Sequence, residues 1–187
     1  MIRAFIAIEL PENLRREIAS LQEKLRSTGA DVKWVEPSNL HLTLKFLGNV
    51  EEAQASALIE ALKSPVESYS AFPMRLEGIG AFPGTTSPRV IWVGTSEGGE
   101  ALKKLAANVE KVCTQLGFPS EERPFSGHLT VGRVRSKDRL AALVKELQIV
   151  EFQAGARMLA DRLILFRSTL FPKGSIYTSL AEFPIGQ

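Results

Sequence analysis

The stretch that decides the fold is HLTLKFLG at residues 41–48, because its first four letters return almost unchanged as HLTV at residues 128–131. Side chains alternate between the two faces of a β-strand, so each stretch puts a histidine and a threonine on one face and its apolar residues on the other. The apolar face is expected to pack under helices. Each stretch therefore predicts a half-buried strand whose polar face carries an imidazole beside a hydroxyl.

The segments around the two stretches repeat as well. A buried strand pattern at residues 2–8 is followed by apolar residues at helical spacing, the same succession precedes the second stretch, and a further helical pattern follows each. Arg3 precedes His41 by 38 residues and Arg89 precedes His128 by 39, so the two halves are in near register. The sequence therefore predicts duplicated β-α-β-α units. Such a duplication can also serve stability alone, since each half covers the other.

No segment has the composition of a flexible linker. We therefore expect a single bilobal domain over residues 1–187, with half-repeats of roughly 1–88 and 89–187. The second extended region, 32–47, is interrupted by the turn signal Pro37–Asn39. Further strand patterns lie at 72–80, 89–95, 152–157, 161–169 and 175–182. A turn at 171–174 separates the last two.

The composition is that of an ordinary globular protein, with 44% hydrophobic residues, 24% charged residues and a formal net charge of +2. The lone Cys113 cannot form an internal disulfide, and two histidines with one cysteine cannot supply the ligands of a structural zinc site. The apolar start is too short for a signal peptide, and no stretch approaches the roughly 20 apolar residues of a membrane span. We expect a cytoplasmic protein without membrane association.

The chain has two histidines, and both stand at the same position of the repeated stretch. One histidine–threonine pair fits an ordinary structural role, but a symmetric pair is poorly explained in that way. If the halves pack about a pseudo-twofold axis, the two pairs face each other across one cleft. Histidine serves as acid or base near neutral pH, and threonine hydroxyls can hydrogen-bond an oxyanionic group. The pattern therefore favours metal-free acid–base chemistry on a phosphate ester.

These residues resemble those of the 2H phosphoesterase superfamily, and within it the RNA 2′,3′-cyclic phosphodiesterases, also called 2′-5′ RNA ligases. The resemblance rests on both H-x-T-x motifs with their flanks at 39–48 and 128–134, on the opening residues 3–7 and on the closing residues 170–177. It implies a bilobal α+β fold with antiparallel sheets, pseudo-twofold symmetry and a central cleft with a metal-free active site. Gly127 stands where the resemblance leads us to expect proline, which leaves the stiffness of the approach to the second motif open.

Carried over position by position, the resemblance makes His41 the proton donor to the departing ribose oxygen and His128 the base that activates water. Thr43 and Thr130 would hold the phosphate oxygens. The implied reaction opens a terminal 2′,3′-cyclic phosphate to a 2′-phosphomonoester, and its reverse, with another RNA end as nucleophile, joins 2′-5′ linkages. No cofactor and no metal are expected, because the strained cyclic phosphate is itself the activated group.

Two cationic residues beside the motifs are possible substrate contacts. Strand alternation predicts Lys45 on the same face as His41, where its ammonium could meet an RNA phosphate. A regular strand turns Arg133 away from His128, so it would reach the cleft only if Gly132 marks a bulge or the end of the strand, and a structural or rim role is favoured. Aromatic side chains that could stack a terminal base are Trp34, Phe82, Trp92, Phe118 and Tyr177.

Two alternatives from other classes stay open at the level of the sequence. One is an RNA-end binding module whose motifs recognise a terminal phosphate without converting it. The other keeps the chemistry and changes the substrate to a small cyclic nucleotide, an ADP-ribose cyclic phosphate or a 2′-5′ oligoadenylate. The expected partners are therefore RNA ends or small cyclic nucleotides, and the protein is expected to be a monomer.

Overall fold

The helices and strands follow the repeated order that the sequence predicts. The computed structural model describes residues 1–172 and 174–186, and its helices are α1 (Glu12–Arg26), α2 (Glu52–Glu67), α3 (Gly99–Gln115) and α4 (Leu140–Ile149). Its strands are β1 (Ile2–Glu9), β2 (Val32–Trp34), β3 (His41–Val50), β4 (Phe72–Phe82), β5 (Val90–Glu97), β6 (His128–Val134), β7 (Met158–Ala160), β8 (Arg162–Phe171) and β9 (Gly174–Pro184). No helix within the described residues is long and apolar enough to cross a membrane.

Two antiparallel sheets divide the strands between them. The order is β3-β1-β8-β9 in the first sheet and β2-β6-β5-β4-β7 in the second, and neighbouring strands are antiparallel throughout. The predicted α+β fold with antiparallel sheets is thereby confirmed. The motif strands β3 and β6 each begin with a histidine, and they contact each other where the two sheets meet.

Neither sheet is built from one half of the sequence alone. Strands β8 and β9 complete the first sheet, with Phe166 opposite Phe5 of β1. Strand β4, from the first half, completes the second sheet, with Gly80 opposite Trp92 of β5. An open strand edge leaves N–H and C=O groups unpaired, and here β8 covers the free edge of β1, while β4 and β2 cover the free edges of β5 and β6. The expected boundary near residue 88 thus separates sequence repeats and does not separate sheets.

The extended region at 32–47 divides at its predicted turn. Strand β2 pairs with β6 in the second sheet, whereas β3 pairs with β1 in the first. A 3-10 turn at Pro37–Asn39 carries the chain from one sheet to the other. This crossing sets the direction in which the chain arrives at His41.

The end of the chain differs in one element from the sequence prediction. The strand expected at 152–157 is reduced to one bridge, between Gln153 and Glu77, and β7 forms just after it. The segment does hydrogen-bond to β4, but β4 shifts register around Gly78 and so limits the ladder. The predicted turn at 171–174 includes Lys173, which lies outside the described residues.

The core lies on the faces of the sheets that point away from the histidines. Leu42 of β3 and Leu129 of β6 are almost fully buried, in one apolar cluster with residues of α1 and α3 such as Leu14 and Leu102. The predicted packing of the apolar motif face under helices is therefore confirmed. The Cys113 thiol is fully buried in the same cluster, and this burial raises its pKa to about 11.

Candidate active site

The two histidines have matching surroundings at the starts of β3 and β6. The Nδ1 atom of His41 lies 2.7 Å from the carbonyl oxygen of Asn39, and that of His128 lies 2.7 Å from the carbonyl oxygen of Ser126. A carbonyl oxygen only accepts hydrogen bonds, so Nδ1 carries the proton in each neutral ring. Nε2 is thereby left to accept or donate a proton, which is the tautomer that acid–base work on a bound group requires.

Each threonine lies two residues after its histidine on the same strand, and the two sheets place their threonines in the same way. In the first sheet, Thr43 stands opposite Ala7 of β1. In the second, Thr130 stands opposite Trp92 of β5. Both threonines and both histidines are half-buried. The structure therefore gives each sheet one imidazole and one hydroxyl on the same face.

Both motif strands carry a β-bulge directly after the threonine. In β3 the extra residue is Leu44, because Ile6 and Ala7 of β1 face Lys45 and Thr43. In β6 it is Val131, since consecutive residues of β5 face Gly132 and Thr130. One extra residue exchanges the faces of the side chains that follow it up to the next bulge, which in β3 comes at Leu47. The bulge is thus a shared feature of both motifs. It decides which side chains after the threonine lie on the face of the histidine.

The bulge in β3 moves Lys45 away from His41. Lys45 stands opposite Ile6 on the helix side, and only 2% of it is exposed. Its ammonium donates to the carbonyl oxygen of Pro119 at 2.6 Å and lies 2.7 Å from a carboxylate oxygen of Glu110. The sequence prediction that Lys45 shares the face of His41 is therefore wrong.

The bulge in β6 has the opposite consequence for Arg133. Arg133 is exposed and pairs with Val90, two residues before Trp92 along β5, which puts it on the side of the sheet that carries His128. The condition set by the sequence, a bulge or strand end at Gly132, is met one residue earlier, by the bulge at Val131. Gly132 itself turns to the helix side, where an added Cβ would meet the Trp34 ring at 2.9 Å.

Aromatic rings surround His41 more closely than His128. The His41 ring centroid lies 4.6 Å from that of Phe5 and 5.2 Å from that of Tyr177. The burial of the His41 ring lowers its pKa to about 4, although the hydrogen bond to Asn39 and the nearby Glu9 carboxylate act to raise it. Sequence reasoning missed Phe5, yet β1 is apolar on both of its faces, which is the signal of a strand covered on both sides.

The aromatic residues that the sequence singled out divide into two groups. Phe82 stands edge-on to His128 at 5.1 Å, and the Trp92 ring is 6.5 Å from the same histidine. Tyr177 adjoins His41, as described above. Phe118 is buried, and Trp34 packs against the core over Gly132.

Gln22 is a supporting residue that the sequence analysis did not identify. It is buried in the apolar stripe of α1, and its Nε2 donates at 2.8 Å to the carbonyl oxygens of both Val35 and Val131. Val131 is the bulge residue of β6, so this amide fixes the backbone next to Thr130. A glutamine on the buried side of an amphipathic helix is the signal that marks it.

Among the described residues, no three side chains of His, Cys, Asp and Glu come together as metal ligands could.

Two equivalent histidine–threonine pairs, one at the start of a strand in each antiparallel sheet, are the arrangement of a two-histidine phosphoesterase. The sequence pattern of the LigT-like phosphoesterase family matches the chain twice, over residues 8–92 and over residues 93–177. The chain belongs to this family.

Several relatives are similar over the whole chain. The RNA 2′,3′-cyclic phosphodiesterase of Methanothermobacter thermautotrophicus is 39% identical over 97% of this chain and 98% of that protein. The protein of the same name from Archaeoglobus fulgidus is 37% identical over 97% and 99%. Among solved structures, TT0787 of Thermus thermophilus matches with a TM-score of 0.80 at 29% identity, covering all of both chains. E. coli LigT complexed with 3′-AMP matches with a TM-score of 0.79 at 25% identity, covering 100% and 99%.

Proposed function

We propose that the protein is an RNA 2′,3′-cyclic phosphodiesterase, which hydrolyses a terminal cyclic phosphate to a 2′-phosphomonoester without a metal. The observation that carries the proposal is the matching pair of histidines, each with Nδ1 bonded to the carbonyl two residues before it, so that Nε2 is the nitrogen that can exchange a proton. The relatives named above carry the same activity in their names. Family membership and site chemistry thus support one reaction.

In the proposed reaction His128 removes a proton from a water molecule as its oxygen attacks phosphorus. The bond between phosphorus and the ribose 3′ oxygen breaks, and His41 donates a proton to that oxygen. In the free protein His41 has a pKa of about 4, so it must gain its proton when substrate binds. A phosphodiester anion beside the ring favours the charged form and raises this pKa. Binding of the substrate therefore favours the protonated form of His41, which is the form that acts as the acid.

Thr43 and Thr130 are proposed to bind the non-bridging phosphate oxygens. Replacing either threonine with valine keeps the branched shape and removes the hydroxyl, so kcat should fall by about 10²-fold, as when one oxyanion donor is lost. Replacing the same residue with serine restores the donor and should recover most of the rate. Steady-state kinetics on a 2′,3′-cyclic nucleotide measures both. Equal rates for the valine variants and the unmodified protein would show that the threonine hydroxyls do not bind the phosphate.

Arg133 is proposed as a contact for the phosphate of the preceding nucleotide. The bulge puts it on the side of His128, two rows of the sheet beyond Thr130, and its side chain is exposed. A guanidinium suits a phosphodiester because it can donate two parallel hydrogen bonds. Lys45 has no part in this proposal, since its ammonium is already bonded on the opposite side of the sheet.

The deciding experiment is incubation with a 2′,3′-cyclic mononucleotide and with a cyclic-phosphate-ended oligonucleotide, in EDTA. We expect a 2′-phosphate from both, detected by phosphorus NMR, with faster turnover of the oligonucleotide if Arg133 contacts a second phosphate. Salt-dependent binding with the substrate unchanged would instead support the RNA-end binding module. Adding an RNA with a free 5′ hydroxyl tests the reverse reaction, which would form a 2′-5′ linkage.

The proposal includes a cytoplasmic monomer. Both histidine–threonine pairs come from one chain, so no second copy is needed to complete the site. Light scattering during size-exclusion chromatography, with activity measured across the peak, tests the monomer.

A further inference from the structure

The segment that leads to His128 is unusual in how it is held. Residues 116–127 join α3 to β6, and residues 119–124 within this segment are exposed. Main-chain hydrogen bonds link Gly117 and Phe118 to the end of α3. Two hydrogen bonds to side chains hold the backbone of the exposed part beyond them. The carbonyl oxygen of Pro119 accepts from the Lys45 ammonium at 2.6 Å, and the amide of Glu121 donates to a carboxylate oxygen of Glu110 at 2.8 Å.

Lys45 and Glu110 form one connected unit. The second carboxylate oxygen of Glu110 lies 2.7 Å from the Lys45 ammonium, and a carboxylate oxygen of Glu121 lies 3.9 Å from it. An ammonium that is only 2% exposed is costly to leave unpaired, so this geometry is strongly preferred once the strand is formed. Because Lys45 follows Thr43 on the same strand, the unit ties the strand of the first motif to the approach to the second.

Gly127 shows that the approach does not obtain its rigidity from the residue next to His128. A Cβ added at Gly127 would meet Cδ2 of Leu102 at 2.8 Å, so the chain passes too close to α3 for a larger residue. The family resemblance leads us to expect proline here. Without that ring, the position of the segment depends on contacts further back: the packing of Phe118 and Phe125 on the core, and the two hydrogen bonds at Pro119 and Glu121.

The symmetric counterpart of Lys45 carries no such group. In β6 the residue after the bulge is Gly132, which the Trp34 ring covers. The approach to His41 is held in a different way, by Asn39 Nδ2 donating to the carbonyl oxygen of Ser175 at 2.8 Å. The lysine unit is therefore specific to the approach to His128.

We propose that Lys45 is a positioning residue for His128: its buried ammonium, together with Glu110, holds the 116–127 segment and thereby sets where the second histidine stands. The expected effect on the catalytic rate rests on the proposed function, whereas the expected effect on how firmly the segment is held does not. Lys45 acts through the segment and does not touch the substrate.

The test is Lys45→Met, which keeps the length of the side chain and removes its charge and donors. Lys63→Met is the matched control, because Lys63 lies on the surface and pairs with Glu60 within one helix. We expect Lys45→Met to lower kcat by about 10²-fold, as small misplacements of a catalytic group do, with KM little changed. A glutamate-specific protease should cut after Glu121 and Glu122 at least about 10-fold faster, since the segment opens more often. Lys63→Met should change neither.

Two results with Lys45→Met would overturn the proposal. A large rise in KM at constant kcat would make Lys45 a substrate contact. A lower melting temperature with unchanged kcat per folded molecule and unchanged cleavage would make it a structural residue only. If Lys45→Met fails to fold, Glu110→Ala replaces it, since the Glu110 side chain is 29% exposed and water can reach the gap; unchanged cleavage and rate there would also refute the link. If the unmodified protein shows no cyclic phosphodiesterase activity, the proposed function fails, and the protease rates still decide whether Lys45 holds the segment.

Discussion

Replacing His128 with alanine should lower kcat/KM for a 2′,3′-cyclic phosphate by about 10²–10⁴-fold, and replacing His41 should do the same. One ring removes a proton from water and the other delivers a proton to the leaving oxygen, so either loss leaves one transfer to bulk solvent. Because the two transfers belong to one displacement, the double variant should be only slightly slower than the slower single variant. Steady-state rates of the three variants, measured by release of the 2′-phosphate, check this.

Histidine-to-asparagine variants serve as controls for geometry. An asparagine amide can still donate to the carbonyl of Asn39 or Ser126, as Nδ1 of each histidine does, but it cannot exchange a proton. His41→Asn and His128→Asn should therefore be as slow as the alanine variants while keeping the melting temperature close to that of the unmodified protein. An asparagine variant with a near-normal rate would exclude its histidine from proton transfer.

The second large effect is a loss of stability in mild acid that depends on His41. Its pKa of about 4 in the folded protein lies below the value of about 6.5 expected for an unfolded histidine. Between these values the unfolded chain binds a proton that the folded protein does not. The contribution of His41 is therefore fully present above pH 6.5 and lost as the pH falls toward 4, a total of about 3 kcal/mol in the free energy of unfolding. Urea unfolding at pH 7 and pH 5 should already show about 2 kcal/mol of this change.

The matched variants are His41→Gln and His128→Gln. His41→Gln should remove this part of the pH dependence, whereas His128→Gln should keep it, because His41 is still present. His128 and the carboxylates titrate both in the unmodified protein and in His41→Gln, so the difference between those two curves isolates His41. Parallel curves for the unmodified protein and His41→Gln would mean that the ring of His41 is hydrated in the folded protein. Proton NMR of the ring gives the same answer directly, with a midpoint near pH 4 that should rise when inorganic phosphate is added.

The features that the sequence predicted well are those set by local pattern. Spacing alone gave the duplicated units, the strand positions of His41 and His128, and the burial of Leu42 and Leu129 on the opposite face. The position of Lys45 could not be obtained in this way, because one inserted residue reverses the side chains that follow it. The signal was nevertheless present, since Leu47 breaks the two-residue period of the apolar positions before it.

Other features depend on contacts between distant parts of the chain. The three residues of β2 are too few to show any period, so nothing in their sequence assigns them to the second sheet. The low pKa of His41 arises from burial among rings, one of which belongs to Tyr177. These neighbours are specified only by the folded topology, and no local pattern contains them.

The exchange of strands between the two lobes has a consequence for how the protein is made. Ala4 of β1 pairs with Arg167 of β8, 163 residues later in the chain. A ribosome delivers β1, α1 and β3 well before β8, so β1 keeps an open edge until β8 has been synthesised. The first repeat therefore cannot complete its own sheet. Strands β8 and β9 close the lobe that holds His41, so this part of the site can form only after residue 184 has been synthesised.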